Sequence, residues 1–530
     1  MDDKNTHEEN AAEQNGTVNN GSGVSQTVSV SNAAPARQLT FHIVDCAMGT
    51  GKSGNLLDRA RFNGSSFHIR YPEEVERLRR NGWRGEFKGE RCIIFVSTIK
   101  ERDERFVKEL DMATPERYPY NRSILELIRS GKNIITTQAL WSIFNEETIA
   151  AFKESDYLYT AFFDEVPPLF REVVGNGRKR DDFGELVAFG PADVKLMQQE
   201  EMLVNVKGKL RFNAKCEYNK KNSEHKVFDA VKNLSRSCNL YPYGNKGGKF
   251  TSIVAFARKD LFDCFEQCWF FSYRTWNSIL HKYCLLNGIR MEYYHIQELR
   301  AMRNPGGRYV ETYPDGIGRL VILDDENVNF GVSLSKEWFK RARGNASGVM
   351  LKSLKGCFRS AYKIMKRHGV ISSTFMFTTF TAYKELLQSD GRHYPTLKRF
   401  LPCNTKATND YSNCTGVAYL CNRFFDVTCC NFLSQKAEEL GIPDLKFDND
   451  NYALSELLQF IWRSNVRVKE SDKPVYVWVP DKRMRKLLQD FQQRALEKKD
   501  EVERYLWEED MRDLEEKRKK WKEREAGHSD

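Results

Sequence analysis

At 530 residues the chain is too long for a single hydrophobic core, and 40% hydrophobic with 29% charged residues is the balance of a soluble globular protein divided into two or three domains. No run of eighteen apolar residues occurs and the first residues carry no basic-then-apolar signal, so no membrane-spanning helix is expected and the protein is expected to stay in the cytoplasm where it is made. A net charge of +10 permits an anionic partner without demanding one, because a solvated basic surface gives the same total. The 13 cysteines are odd in number and form no paired C-x-x-C units, so reduced buried thiols are expected. Cys264, Cys268, Cys284 and His281 lack the tight paired spacing of a structural zinc site.

Residues 1–38 form a polar tail with too little apolar surface to offset chain entropy, and disorder is expected there. The stretch 41–53, FHIVDCAMGTGKS, reads as a strand, a glycine loop and the start of a helix. Gly49, Thr50, Gly51, Lys52 and Ser53 are the nucleotide-binding candidates. The glycines let consecutive N–H groups face phosphate oxygens, Lys52 reaches the outer phosphates, and the Ser53 hydroxyl ligates Mg²⁺. Cys46 stands where the strict pattern has glycine.

Further strands are predicted over 92–97 (CIIFVS), 133–137 (NIITT) and 157–163, the last running into Asp164 and Glu165. The apolar runs of the strand from Phe41 and of 92–97 are continuous, as in parallel strands buried on both faces, and helical stretches between the strands imply βαβ units. Two carboxylates at one strand tip suit Asp164 to Mg²⁺ and Glu165 to general-base work on a water. Residues 175–250 read as an insertion in the first domain, with a helix over 193–204 and a glycine-rich exit at Gly244, Gly247 and Gly248. A strand over 252–256, an aromatic strand over 268–273 and a helix over 276–286 follow. Trp269, Phe270, Phe271 and Tyr273 suit a core better than base stacking.

A Gly- and Pro-rich linker over 301–314 separates the first domain, 39–300, from a second over 315–490. Strands are predicted there over 319–323, 374–379 and 475–479, with a helix beginning near Ala382 and another over 452–467. Gln459, Arg463 and Arg467 recur every four residues, which on a continuous helix puts all three on one face. A buried helix carrying two arginines needs an anion, and a planar cationic fork suits a transferring phosphoryl group. The remaining 491–530 are dense in charge, with Leu, Trp and Met at wide spacing, and read as a largely solvated charged helix.

These ordered stretches resemble superfamily 2 helicases of the DEAD/DEAH-like kind, and most closely the replication-type helicases of phages and other mobile elements. AMGTGKS resembles motif I, FVST at 95–98 motif Ia, ITTQAL at 135–140 the neighbouring strand-contact motif, and FFDEV at 162–166 motif II. FMFTTFTAYKELL at 375–387, KATNDY at 406–411, AYLCNRF and ALSELLQFIWRSNVR resemble motifs of the second domain, the last being motif VI.

The resemblance, over about residues 41–490, implies an α/β fold of two tandem RecA-like P-loop domains, parallel sheets flanked by helices, between a disordered N-terminal tail and a charged helical C-terminus. ATP and Mg²⁺ are then held in the cleft between the domains, with Glu165, Gln459, Arg463 and Arg467 catalytic. Ser97, Thr98, Thr136, Thr137, Gln138, Thr378 and Thr379 are expected on the backbone of a bound single or double strand, DNA favoured over RNA. Movement along or unwinding of that strand is expected, in phage or mobile-element replication beside other replication proteins, in the host cytoplasm.

Motif VI departs from its usual form at Trp462 and in the late position of Arg467, which makes Arg463 the safer finger. The aromatic strand at 268–273 stands in the place of motif III without its small hydroxyl pair. The competing readings are a phage DNA-packaging ATPase and an ATP-gated nucleic-acid-binding scaffold with little hydrolysis.

Overall fold

The computed structural model describes residues 38–65, 78–79, 82–116, 120–141, 143–174, 179–180, 186–213, 215–216, 226–244, 250–297, 300–403, 405 and 410–526. The expected disordered tail therefore falls outside the described residues, as do Gly247, Gly248 and 406–409 of KATNDY.

The strands that follow one another up to the acid pair are β1 (Thr40–Asp45), β2 (Gly89–Val96), β3 (Ile134–Thr137) and β4 (Tyr157–Asp164). Seven more lie in and beside the insertion: β5 (Phe170–Glu172), β6 (Lys179–Arg180), β7 (Leu186–Ala188), β8 (Leu203–Val206), β9 (Lys209–Phe212), β10 (Cys238–Tyr243) and β11 (Ser252–Ala257). After them come β12 (Gln267–Ser272), β13 (Arg290–Gln297) and β14 (Arg300–Arg303), and then the strands of the second lobe, β15 (Leu320–Ile322), β16 (Phe375–Thr378), β17 (Gly416–Tyr419) and β18 (Val475–Trp478).

The first lobe is built on a seven-stranded sheet in the order β14-β13-β1-β12-β4-β2-β3, parallel except for the terminal β13·β14 pair. Ile43, Val44, Ile93, Ile94, Phe95, Val96 and Phe270 have no exposed surface, which is why their runs are continuously apolar: both faces of the sheet are covered. Phe163 stacks on Phe95 and Phe270 at centroid separations of 4.7 and 4.6 Å, so the aromatic strand is core. Register pairs Asp45 with Ser272 and Phe271 with Asp164, which brings the carboxyl ends of β1, β12 and β4 to one edge.

The strand expected over 252–256 forms as β11 but joins a separate antiparallel sheet, ordered β5-β11-β10-β9-β8. The helix expected over 193–204 stops at Gln199. Glu201 takes φ +50°, and the chain turns into the β8–β9 hairpin, whose two turn residues Lys207 and Gly208 both have positive φ.

The second lobe holds the four-stranded parallel sheet β15-β18-β17-β16. After β16 the chain makes a 3-10 helix, Thr381–Leu387, where an α-helix was expected near Ala382. Two segments from beyond this sheet's first half tie it to the first lobe. The helix Val427–Leu440 sends Phe432 and Leu433 into the first lobe's core, where Phe432 meets Tyr241 and Phe256 at 5.2 and 5.8 Å. The helix Lys482–Ala526 begins in the second lobe's core through Met484, Leu488, Phe491 and Ala495, and reaches β13, where Asp510 Oδ2 lies 2.8 Å from His295 Nε2.

All 13 cysteines are free thiols, and among the described residues no His, Cys, Asp and Glu cluster is arranged as a metal site. Among the described residues no helix is long and apolar enough to cross a membrane.

Candidate functional site

β1 ends at Asp45, whose buried carboxylate accepts the backbone N–H groups of Arg274 (3.0 Å) and Thr275 (2.6 Å) and the Thr275 hydroxyl. These bonds fasten the tip of β1 to the turn after β12, although burial still raises the Asp45 pKa. Cys46 follows, its N–H on the Ser272 carbonyl at 3.2 Å and its thiol inside the core, where burial pushes the pKa up to about 11. Positive φ occurs only later in the loop, at Gly49 (+87°) and Gly51 (+92°). The turn therefore demands glycine at those two positions and not at Cys46, which accounts for the departure from the strict pattern.

The helix Lys52–Ser65 starts at once. Lys52 Nζ donates to the Cys46 carbonyl at 3.1 Å and stands 5.9 Å over the Tyr273 ring. Thr50 turns the other way: its hydroxyl donates to the Ala47 carbonyl at 2.8 Å, and the residue lines a separate cavity beneath the C-terminal helix.

At the tip of β4, Glu165 has φ +75°, a strained value for a residue with a side chain. Three contacts hold it there. Its N–H donates to the Phe271 carbonyl at 3.0 Å, Gln138 Nε2 donates to the carbonyls of Asp164 and Glu165 at 2.9 and 3.0 Å, and the Ser272 hydroxyl donates to the Glu165 carboxylate at 2.9 Å. Burial, reinforced by the carboxylates of Glu101 and Glu165, holds the Asp164 pKa well above the usual carboxylate range, against the opposing pull of Lys52. Glu101 comes from the turn after β2, where the Thr98 hydroxyl caps the helix by accepting the Glu101 N–H at 3.1 Å.

The second lobe contributes differently from the continuous helix expected over 452–467. The α-helix Asn449–Ile461 ends there, with Trp462 as its C-cap at ψ +8°. Ser464 breaks the run, donating to the Ile461 carbonyl at 2.7 Å and accepting the Val466 N–H at 3.4 Å, and a 3-10 turn Asn465–Arg467 follows. Gln459, Arg463 and Arg467 thus share no helical face, yet all three line one cleft of about 550 Å³ with Gly49, Gly51, Lys52, Ser53, Ser97, Asp164 and Glu165. The lobes are close: a β-carbon on Gly49 would stand 3.8 Å from the Arg467 carbonyl oxygen. Arg463 Nε is buried without a hydrogen-bond partner, and burial lowers the Arg463 pKa, with Arg467 adding to that and Glu165 opposing it.

The set expected on a bound strand is not gathered on an exposed track. Thr378 and Thr379 have no exposed surface and give their hydroxyls to the carbonyls of Thr379 (3.4 Å) and Leu420 (3.0 Å). Thr136 is buried within β3, Gln138 braces the acid pair, Thr98 caps a helix, and the Ser97 hydroxyl donates to the Asp164 carbonyl at 3.4 Å. Thr137 is half-buried at the end of β3.

Residues 317–492 match the family described as the YonV C-terminal Rossmann-like domain. The second lobe's parallel sheet falls within that match. The chain is 27% identical over 462 residues, 85% of its own length and 98% of the relative's, to the SPbeta prophage-derived uncharacterized protein YonV of Bacillus subtilis (strain 168). Among solved structures, S. tokodaii Xpd4 aligns over 86% of this chain and 94% of its own, with a TM-score of 0.38 and 11% identity.

Four residues at the site escape a reading by motif. Ser272 and Thr275 supply small hydroxyls at the end of the aromatic strand, one to Glu165 and one to Asp45, where the sequence reading expects none. Glu101 joins the acids of the cleft. Arg274, at φ +55°, pairs with Glu311 and donates to Asn451 Oδ1 at 3.1 and 2.8 Å, fastening the first lobe to the start of the second-lobe helix.

Proposed function

We propose that this chain is an ATP-dependent helicase or translocase that hydrolyses ATP between its two lobes to move along or unwind nucleic acid, DNA before RNA. The observation that carries the reading is the meeting of a glycine loop and a strand-end acid pair from one lobe with Arg463, half-buried and with a buried, unpartnered Nε, from the other. A buried guanidinium N–H without a partner is costly, and a triphosphate would satisfy it.

The residues present fit the substrate and its metal. Gly49, Gly51 and the N-terminus of the helix Lys52–Ser65 make an anion cradle that Lys52 completes. Ser53 and Asp164 would hold Mg²⁺, an ion that keeps much of its water and takes one or two carboxylate ligands. That ion supplies charge neutralisation on the phosphates. Glu165, oriented by Ser272, would polarise the attacking water. Arg463 would meet charge developing on the transferring phosphoryl group, with Gln459 and Arg467 beside it. A prophage-derived relative accords with work in phage or mobile-element replication.

Phosphate release with no nucleic acid, single-stranded DNA, duplex DNA and RNA, alongside displacement of a labelled strand, tests the reading. Turnover stimulated by one of these polymers and abolished by Lys52→Ala is expected. Turnover absent under every condition, with nucleic acid still bound, would leave an ATP-gated scaffold in its place.

A further inference from the structure

The far end of the helix Lys482–Ala526 leaves the body of the protein at Asp510. Every residue from Met511 to Glu523 is exposed, and the helix runs on for roughly 24 Å past its last buried side chain at 1.5 Å per residue. An isolated helix of this length is marginal in water. The pairs Asp513–Lys517 and Glu516–Lys520, each at 2.5 Å, add only about 0.2–0.5 kcal/mol apiece.

Along one side of this projection runs an apolar stripe. Trp507, Leu514 and Trp521 are spaced seven apart, Met511 falls between the first two, and their exposures are 53, 39, 59 and 37%. The stripe centres about a fifth of a turn from the face that Leu506 and Asp510 bury, and its exposures show that the contact with the body leaves it uncovered. It is the 3-4 alternation of a two-helix seam.

Charge identifies the occupant and its direction. Residues 508–516 contain six acids and one Arg, and residues 517–524 contain six bases and one Glu. Two copies in parallel would set acid on acid and base on base. Two copies in antiparallel alignment set each acidic half against a basic half in the register that places Met511 on the second copy's Trp521 and Leu514 on the second copy's Arg518, which brings Asp513 against the second copy's Lys519 and Glu515 against its Lys517. We infer that the C-terminal projection is the dimerisation element of this protein, pairing antiparallel with the same segment of a second copy.

Sedimentation velocity of the full chain at tens of micromolar and 100 mM salt tests this. A species of twice the 61.7 kDa chain mass is expected, falling to the chain mass in Leu514→Glu/Trp521→Glu, whose side chains are exposed and whose melting temperature should be unchanged. Asp513→Lys/Glu515→Lys should dissociate the dimer, and adding Lys517→Glu/Lys519→Glu should restore it, which a parallel pair would not require. A monomeric wild type overturns the proposal, as does a dimer indifferent to these changes. So does a Leu514→Glu/Trp521→Glu variant that keeps its mass and loses single-stranded DNA binding, because the stripe would then serve nucleic acid.

Discussion

The Lys52 ammonium is half-buried and donates to the Cys46 carbonyl of its own loop, so Lys52→Ala should abolish turnover while circular dichroism and melting temperature stay close to those of the wild type. Glu165→Gln should keep nucleotide binding and lose hydrolysis, because Asp164 remains for the metal; loss of binding in a fluorescent-nucleotide titration would reverse that division of roles. Arg463→Ala should lower single-turnover hydrolysis by about 10³ with binding nearly intact, as expected of a group acting on transition-state charge. Arg467→Ala should cost less, and an equal loss would mean a shared fork. His281 lies outside this chemistry. It is 2% exposed, and burial lowers its pKa to about 4, with Lys282 adding to the effect. The unfolded chain binds a proton near the ordinary value of 6.5 and the folded one does not, so stability falls as pH drops from 6.5 towards 4. The melting temperature of the wild type relative to that of His281→Phe should therefore fall as pH is lowered through this window, and parallel curves would refute it.

At the scale of elements, the site is set by how three strand tips are tied. β1, β4 and β12 end side by side, and Asp45, Glu165 and Ser272 bond across those ends. Ser272→Ala should leave nucleotide affinity unchanged and slow turnover by tenfold or more, because it frees the carboxylate of a residue already held at a strained φ. Arg274 is the matching tie between lobes. With one end on half-buried Glu311 and the other on Asn451, it is 8% exposed, and Arg274→Ala should destabilise the protein by about 2 kcal/mol in urea titration by removing the charge-assisted hydrogen bonds that tie the lobes. The helix 449–461 shows why element boundaries resist reading. Its apolar pattern runs on through Trp462 and Val466, both buried, but the Ser464 hydroxyl takes the Ile461 carbonyl and ends the α-helix.

For the whole molecule, the C-terminal helix divides into a part inside the fold and a part outside it. Met484, Leu488, Phe491 and Ala495 have no exposed surface, so ending the chain before Lys482 should unfold the second lobe, whereas ending it after Asp510 should move the melting temperature by less than about 2 °C. Differential scanning calorimetry of the two truncations decides between these outcomes. The α/β class with two parallel sheets could be read from the sequence alone, because strands covered on both faces carry unbroken apolar runs and a glycine loop has a local signature in Gly49, Gly51 and Lys52. Local chemistry is written in neighbouring residues. Tertiary structure alone decided that 252–256 joins an antiparallel sheet, that Val427–Leu440 returns to the first lobe, that Thr378 and Thr379 are buried, and that Gln459, Arg463 and Arg467 reach one cleft without sharing a helix face. Each of these depends on partners brought in from other elements, from a neighbouring strand to residues several hundred positions away, or on a hydroxyl that competes with the helix, and neither leaves a period in the sequence.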